Sequence, residues 1–217
     1  MKYAESAFDI FYLLFAVISG IYILCRRRDR IGKLMGSAAL ILGCGDAFHL
    51  VPRVLGYYSG ADLTAWLGAG KLVTSVTMTV FYALMFRLWV EAYGKRGTKG
   101  LGAAVYALSA VRVILCALPQ NRWLENDSPA LWGVIRNAPF IALGAVIACI
   151  FFKTRKEIDA FRRVWLIVAL SFIFYISVAV TAPFLPALGM LMVPKTVCYM
   201  LLIRAFLKYS SHAQNKE

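Results

Sequence analysis

Residues 10–30 read IFYLLFAVISGIYILCRRRDR, in which sixteen uncharged residues are followed by four arginines and one aspartate. A helix of about 20 apolar residues is long enough to cross the ~30 Å hydrocarbon core of a bilayer. Apolar runs that alternate with basic clusters continue along the chain. The pattern predicts seven membrane-spanning helices, at approximately residues 6–25, 33–54, 66–87, 101–118, 133–152, 164–183 and 187–207.

The overall composition agrees with a membrane location. Of the 217 residues, 61% are hydrophobic and 16% are charged, and the mean hydropathy is +0.69. Average soluble domains are about 45–50% apolar and about 25% charged. We therefore predict an all-α polytopic integral membrane protein with one transmembrane domain over residues 1–217. The opening MKYAESAFD carries acids where a signal peptide has its basic region, so we expect the first helix to be retained.

The net charge of +13 is distributed unevenly over the predicted loops. The first, third and fifth loops and the C-terminal tail carry 17 of the 24 Lys and Arg residues. An excess of basic residues marks the cytoplasmic face of a membrane protein. This predicts an outside N-terminus, a cytoplasmic C-terminus and a bacterial-type cytoplasmic membrane. Basic loops on that face suit anionic lipid headgroups, so we expect membrane lipids, and no nucleic acid, as partners.

Residues that ligate metals are few. The chain has two histidines and five cysteines, and no CxxC pair is present. This nearly excludes a multi-histidine zinc site. The motifs GxSxG and HExxH and a phosphate-cradling glycine loop are also missing from the sequence. We predict no metal and no cofactor.

Residues 43–53, GCGDAFHLVPR, place three polar side chains inside the second predicted helix. Asp46, His49 and Arg53 follow a spacing of i, i+3 and i+7, which puts them on one helix face. Pro52 is expected to kink or end the helix, because proline has no backbone amide to donate. Ionisable groups inside a membrane are expensive and commonly functional, so this face is a candidate site wall.

Other predicted helices also carry polar residues in their outer halves, namely Lys71, Arg112, Arg136, Asn137 and Lys195. The four basic residues among these, together with Arg53, give five cations against a single deep carboxylate, Asp46. We expect Asp46 to pair with Lys195, and the excess of positive charge to face an outward-opening pocket built by predicted helices 2, 3, 4, 5 and 7. Such a pocket suits a small anionic ligand or a lipid headgroup.

Three kinds of function fit this pattern. The leading prediction is binding or transport of a small anionic molecule or lipid headgroup by the eight outer-half residues from Asp46 to Lys195. The second is an intramembrane lipid-modifying enzyme with Asp46 or His49 as general base. Residues 45–53, GDAFHLVPR, resemble the glycine–aspartate helix segment of the lysoplasmalogenase family, which implies a membrane hydrolase with Asp46 at the motif position. The third is a seven-helix receptor-like sensor that signals through the basic loops.

Overall fold

The computed structural model describes residues 2–95, 98–181 and 190–212. Within these ranges the chain forms seven α-helices and no β-strand. The helices are α1 Lys2–Arg26, α2 Arg30–Ser59, α3 Thr64–Ala92, α4 Lys99–Ala117, α5 Ala130–Lys153, α6 Val164–Thr181 and α7 Met192–His212. Short 3₁₀ turns lie at Pro119–Asn121, Trp123–Glu125 and Asp159–Phe161. The all-helical prediction is confirmed for the described residues.

Six helical segments are long and apolar enough to cross a membrane: α1 to α5 and Asp159–Val178, which contains most of α6. The segments are compatible with a multi-pass membrane protein. The described part of α7 contains Lys195, Arg204 and Lys208, which lower its mean hydropathy. Of the predicted seventh span, residues 187–189 lie outside the described ranges. The count of seven spans and the orientation stay predictions.

The outer surface of α1 shows how the helices would meet lipid. Ile10, Leu14, Ile18 and Ile21 recur at helical spacing, and each is exposed. The opposite face, which includes Tyr12, is buried in the bundle. Soluble monomers rarely expose a continuous apolar stripe of this kind. A hydrocarbon environment would cover it.

Each helix packs against the next one along the chain, and α7 returns to contact α1 and α2. Short connections make consecutive helices antiparallel. Helix α3 lies at the centre, because it also packs on α5 and reaches the last two helices through aromatic side chains. Phe81 contacts the ring of Tyr199 on α7, and Tyr82 contacts the ring of Phe172 on α6. The core is therefore rich in aromatic contacts.

Helix α2 continues past Pro52 to Ser59, so the prediction that it ends at about residue 54 is wrong. Proline at position 52 leaves the carbonyl of Phe48 without its usual helical donor. Gly70 of α3 packs at this point, where a Cβ atom would come within 2.1 Å of the Phe48 carbonyl oxygen. Close packing of α3 covers the interrupted turn, and the helix extends through it.

The turn between α1 and α2 is held by Asp29, the N-cap of α2. The carboxylate accepts the Gly32 amide at 3.2 Å and a two-pronged interaction from Arg27, at 2.9 Å from Nε and 2.7 Å from Nη2. Partial burial raises the pKa of Asp29, but the hydrogen bonds and charge of Arg27 outweigh it, so the net effect is a lowered pKa. Folding is therefore linked to the ionised form of Asp29.

Replacing Asp29 by alanine is expected to lower the free energy of unfolding at pH 7 by about 1 kcal/mol, the usual value of an N-cap. Because the folded-state pKa is lowered, the charge contributes above the unfolded-state pKa of about 3.9 and is lost as the pH falls through the folded-state value. Denaturant titrations in detergent at pH 7 and pH 3 would measure this. Asp29→Asn, which keeps a cap acceptor, should cost less; an Ala variant whose deficit is the same at both pH values would contradict the linkage.

Candidate functional site

The eight predicted site residues all lie toward the end of the bundle that is remote from the α1–α2 turn. They are carried by the second halves of α2 and α4 and by the first halves of α3, α5 and α7. The structure does not gather them around one point. Arg53 forms ion pairs with acids of α1. Asp46, His49 and Lys195 lie in a central group. The remaining residues form two groups in which the partners of the cations are uncharged side chains.

Arg53 belongs to an ion-pair network that the sequence analysis missed. Its Nη2 lies 2.5 Å from Oδ2 of Asp9, and its Nη1 lies 3.3 Å from Oε1 of Glu5. Asp9 is only 4% exposed, so a second buried carboxylate lies at this end of the bundle besides Asp46. Glu5 and Asp9 are four residues apart on α1, a spacing that puts both on one helix face and could have indicated a common partner. Arg53 is neutralised within the chain.

Asp46 accepts a hydrogen bond from the hydroxyl of Tyr12 at 2.7 Å. Lys195 lies near enough to interact with it electrostatically, which supports the expected proximity of α2 and α7. The two side chains nevertheless form no direct ion pair, so the predicted pairing is wrong in its geometry. The Nζ of Lys195 instead lies over aromatic faces, 4.9 Å from the Tyr175 ring centroid and 5.3 Å from that of Tyr199.

His49 lies one turn beyond Asp46 on α2 and interacts with the backbone of Leu67. It is within electrostatic range of Arg53, Lys71 and Lys195. Its Nδ1 atom is buried and has no hydrogen-bond partner among the described residues. An unused ring nitrogen beside several cations is available to a ligand or a water molecule.

Arg112 of α4 is 2% exposed and lies against neutral groups. Its Nη1 donates to Oδ1 of Asn137 at 3.4 Å, and its guanidinium is centred 3.5 Å from the centroid of the Phe140 ring. The Tyr175 hydroxyl donates to the same Asn137 oxygen at 2.6 Å. The Nε atom of Arg112 has no partner in the part of the chain described. Arg112 and Asn137, which were both predicted to line the pocket, are thus in contact.

The connection between α4 and α5 folds over the same end of the bundle and supplies amide oxygens. Asn121 is fully buried, and its Oδ1 accepts from Nη1 of Arg136 at 2.8 Å. The Arg136 guanidinium lies over the Trp123 ring, 4.4 Å from its centroid. Asn126 accepts from Nζ of Lys71 at 2.6 Å. Both asparagines were missed, because only the folded connection places their side chains beside cations.

The partners of the acidic residues show which of the cations lack a carboxylate. Ten of the eleven are described, and the remaining one, Glu217, is in the C-terminal tail; residues 182–189 contain no acid. Asp46 bonds to Tyr12, Asp62 accepts the Thr64 amide, and the other eight each contact a basic side chain outside the central group. No described carboxylate forms an ion pair with any of four outer-half cations, namely Lys71, Arg112, Arg136 and Lys195.

The chemistry available at this end is therefore donation of hydrogen bonds and positive charge. Over residues 2–95, 98–181 and 190–212, no three His, Cys, Asp or Glu side chains come together as metal ligands would. No hydrogen bond joins His49 to Asp46 among the described contacts, so a preformed acid–base pair is not present there. The predicted absence of a metal and a cofactor stays a prediction.

No family model, curated protein or solved structure matches this chain. The membrane hydrolase implied by the resemblance of residues 45–53 to the lysoplasmalogenase segment therefore stays a prediction.

Proposed function

We propose that this chain is a membrane-embedded binding or transport protein that recognises a small anionic molecule or a lipid headgroup in a cationic pocket. The observation that carries the proposal is Arg112, a buried guanidinium with no carboxylate partner in the described chain. Removing an ion from water without a countercharge is costly. A bound anion would supply that charge.

The surroundings of Arg112 agree with this assignment. Asn137 and Phe140 hold the guanidinium in place from one side, while its Nε donor is unused. Guanidinium donors match carboxylate and phosphate oxygens in pairs. Lys195, Arg136 and Lys71 add positive charge, and among the described carboxylates Asp46 interacts with the first of them. The pocket should therefore discriminate between ligands mainly by their negative charge and less by their shape.

The proposed orientation follows from the distribution of charge. The polar groups lie at the end of the bundle that contains the start of α1, and the basic clusters such as 26–30 lie at the other end. Under the positive-inside rule, the basic end faces the cytoplasm and the pocket faces outward. We place the protein in a bacterial-type cytoplasmic membrane as a seven-helix bundle, with α7 as the seventh span.

A second function is supported by one observation. Asp46 and the unpartnered His49 Nδ1 lie one turn apart on α2, and a substrate could bring them into one proton-transfer path. This is the lipid-modifying enzyme of the sequence analysis. It requires turnover of a lyso-lipid that is lost in Asp46→Asn while the variant still folds. Binding without turnover in the wild type would exclude this enzyme.

Arg112→Met is expected to separate stability from binding. Without ligand, the variant should be as stable as the wild type or more stable, because it replaces an uncompensated buried charge by an apolar side chain. Its affinity for the anion should fall at least tenfold, since removing one partner of a buried charge pair costs about 2–5 kcal/mol. Thermal unfolding of purified protein, titrated with carboxylates, phosphate esters and lysophospholipids, would measure both.

The matched control uses one helix. Arg136→Gln and Lys153→Gln each remove one positive charge from α5, the first at the candidate pocket and the second at the exposed opposite end. Only the first should weaken the anion response. The soluble and lipid-borne anions in the panel identify which source the pocket accepts. A wild type that no anion stabilises, or equal responses in Arg112→Met and wild type, would refute the binding proposal.

A further inference from the structure

A second cationic feature lies at the opposite end of the bundle, between α3 and α4. It is a groove of about 330 Å³. Its apolar wall includes Phe86, Val90, Ala103 and Tyr106, and its edge carries basic side chains. The rings of Phe86 and Tyr106 meet edge to face, with their centroids 6.0 Å apart. An apolar slot joined to positive charge favours an amphiphile.

The cations at the groove are Arg87, Lys95 and Lys99. Arg87 contacts Glu91 at 3.4 Å and Lys95 contacts Glu157 at 3.4 Å, and the four side chains are between 22% and 48% exposed. Ion pairs at the protein surface contribute little to stability, so both cations can turn toward another anion at modest cost. Lys99 is exposed and has no acidic partner among the described contacts.

The position of the groove fits the level of the headgroups. Helix α3 ends at Ala92 and α4 begins at Lys99, so in a bilayer the basic edge would lie where two apolar helices leave the hydrocarbon. Tyr106 lies two turns deeper along α4 and is exposed toward the lipid side. An acyl chain would follow Tyr106 and Phe86, while a phosphate would meet the cations. A soluble anion would leave the apolar wall unused, and a zwitterionic lipid would lack the net charge.

We propose that this groove, formed by Phe86, Arg87, Lys95, Lys99, Ala103 and Tyr106, binds an anionic phospholipid of the adjacent leaflet. The lipid is held by its phosphate at the basic edge and by its acyl chain along the aromatic wall. This site is separate from the outer pocket, because it lies at the other end of α3. A bound lipid would hold together the end of α3 and the start of α4, which are otherwise connected by residues 93–98.

The test is thermal unfolding in detergent micelles doped with phosphatidylglycerol or phosphatidylcholine. Phosphatidylglycerol should raise the unfolding temperature of the wild type, and phosphatidylcholine should not. Lys99→Gln and Arg87→Gln should each raise the lipid concentration for half-maximal stabilisation about fivefold, the equivalent of about 1 kcal/mol per basic residue near a charged membrane surface. Ala103→Leu should weaken the response without any change of charge, because it fills the groove from an exposed position.

Two control variants and one competitor show whether the stabilisation by lipid comes from this groove. Lys153→Gln removes a charge at the same end of the bundle but outside the groove, and it should respond as the wild type does. Arg112→Met should also keep the part of the response that Lys99→Gln removes, which separates this site from the proposed outer pocket. Glycerol phosphate should not compete, because it has no acyl chain. Equal stabilisation by phosphatidylcholine, an equal loss in Lys153→Gln, or an unchanged response in both Lys99→Gln and Ala103→Leu would overturn the proposal.

Discussion

Gly68→Ala is expected to cause one of the two largest losses of stability in this protein. A Cβ atom at Gly68 would lie 1.5 Å from the carbonyl oxygen of Trp123, so α3 and the α4–α5 connection cannot both keep their positions. The obstacle is backbone, which cannot move aside as a flexible side chain can. We expect the free energy of unfolding to fall by at least 3 kcal/mol, at the upper end of overpacking effects. Denaturant titration in detergent would measure it.

The effect should also reach the proposed outer pocket. Moving Trp123 displaces the connection whose asparagines bind Lys71 and Arg136. The variant should therefore lose anion stabilisation along with general stability. Gly133→Ala is the matched control, because it lies in a first helical turn with nothing within 4 Å of the added atom. A Gly68 variant that is as stable as the Gly133 variant would contradict the close approach of α3 and the connection.

Arg53→Ala is expected to cost about 3–5 kcal/mol, because it leaves the buried carboxylate of Asp9 without its partner. The expected loss comes from an uncompensated charge and not from lost packing alone. Neutralising the acids in the same background, with Asp9→Asn and Glu5→Gln, should therefore recover most of it. Chemical denaturation of the four variants gives the coupling energy directly. Failure of the neutralised background to recover stability would contradict the ion-pair interpretation.

The sequence predicted the helices better than it predicted their partners. Apolar length and basic clusters indicate spans without any knowledge of packing, so the positions of α1 to α5 agree with the observed helices apart from their ends. The end of α2 was misplaced because Pro52 is a helix breaker in isolation. In the fold, Gly70 packs against the carbonyl that this proline frees. Such compensation depends on a neighbour that local sequence does not specify.

The candidate site shows the same limit for charges. The polar residues on α2 were identified from spacing, and Arg112 and Asn137 were expected in one pocket and are in contact. The pairing of Arg53 with Asp9 joins residues 44 positions apart and depends on the packing of α1 on α2. Neutral partners such as Asn121 carry no charge signal at all. Counting cations therefore overestimated the free positive charge by one arginine.

The Oδ1 atom of Asn137 has a consequence for how an anion would be sensed. This one oxygen accepts from Arg112 on α4 and from Tyr175 on α6, so three helices meet at an atom with two lone pairs. If the proposed anion drew the guanidinium away, one of those lone pairs would be freed and this contact of α4 with Asn137 would be lost. Binding of the anion would then allow α4 to move more freely relative to α5 and α6. A spin label on α4 should report that loosening only when the anion is present.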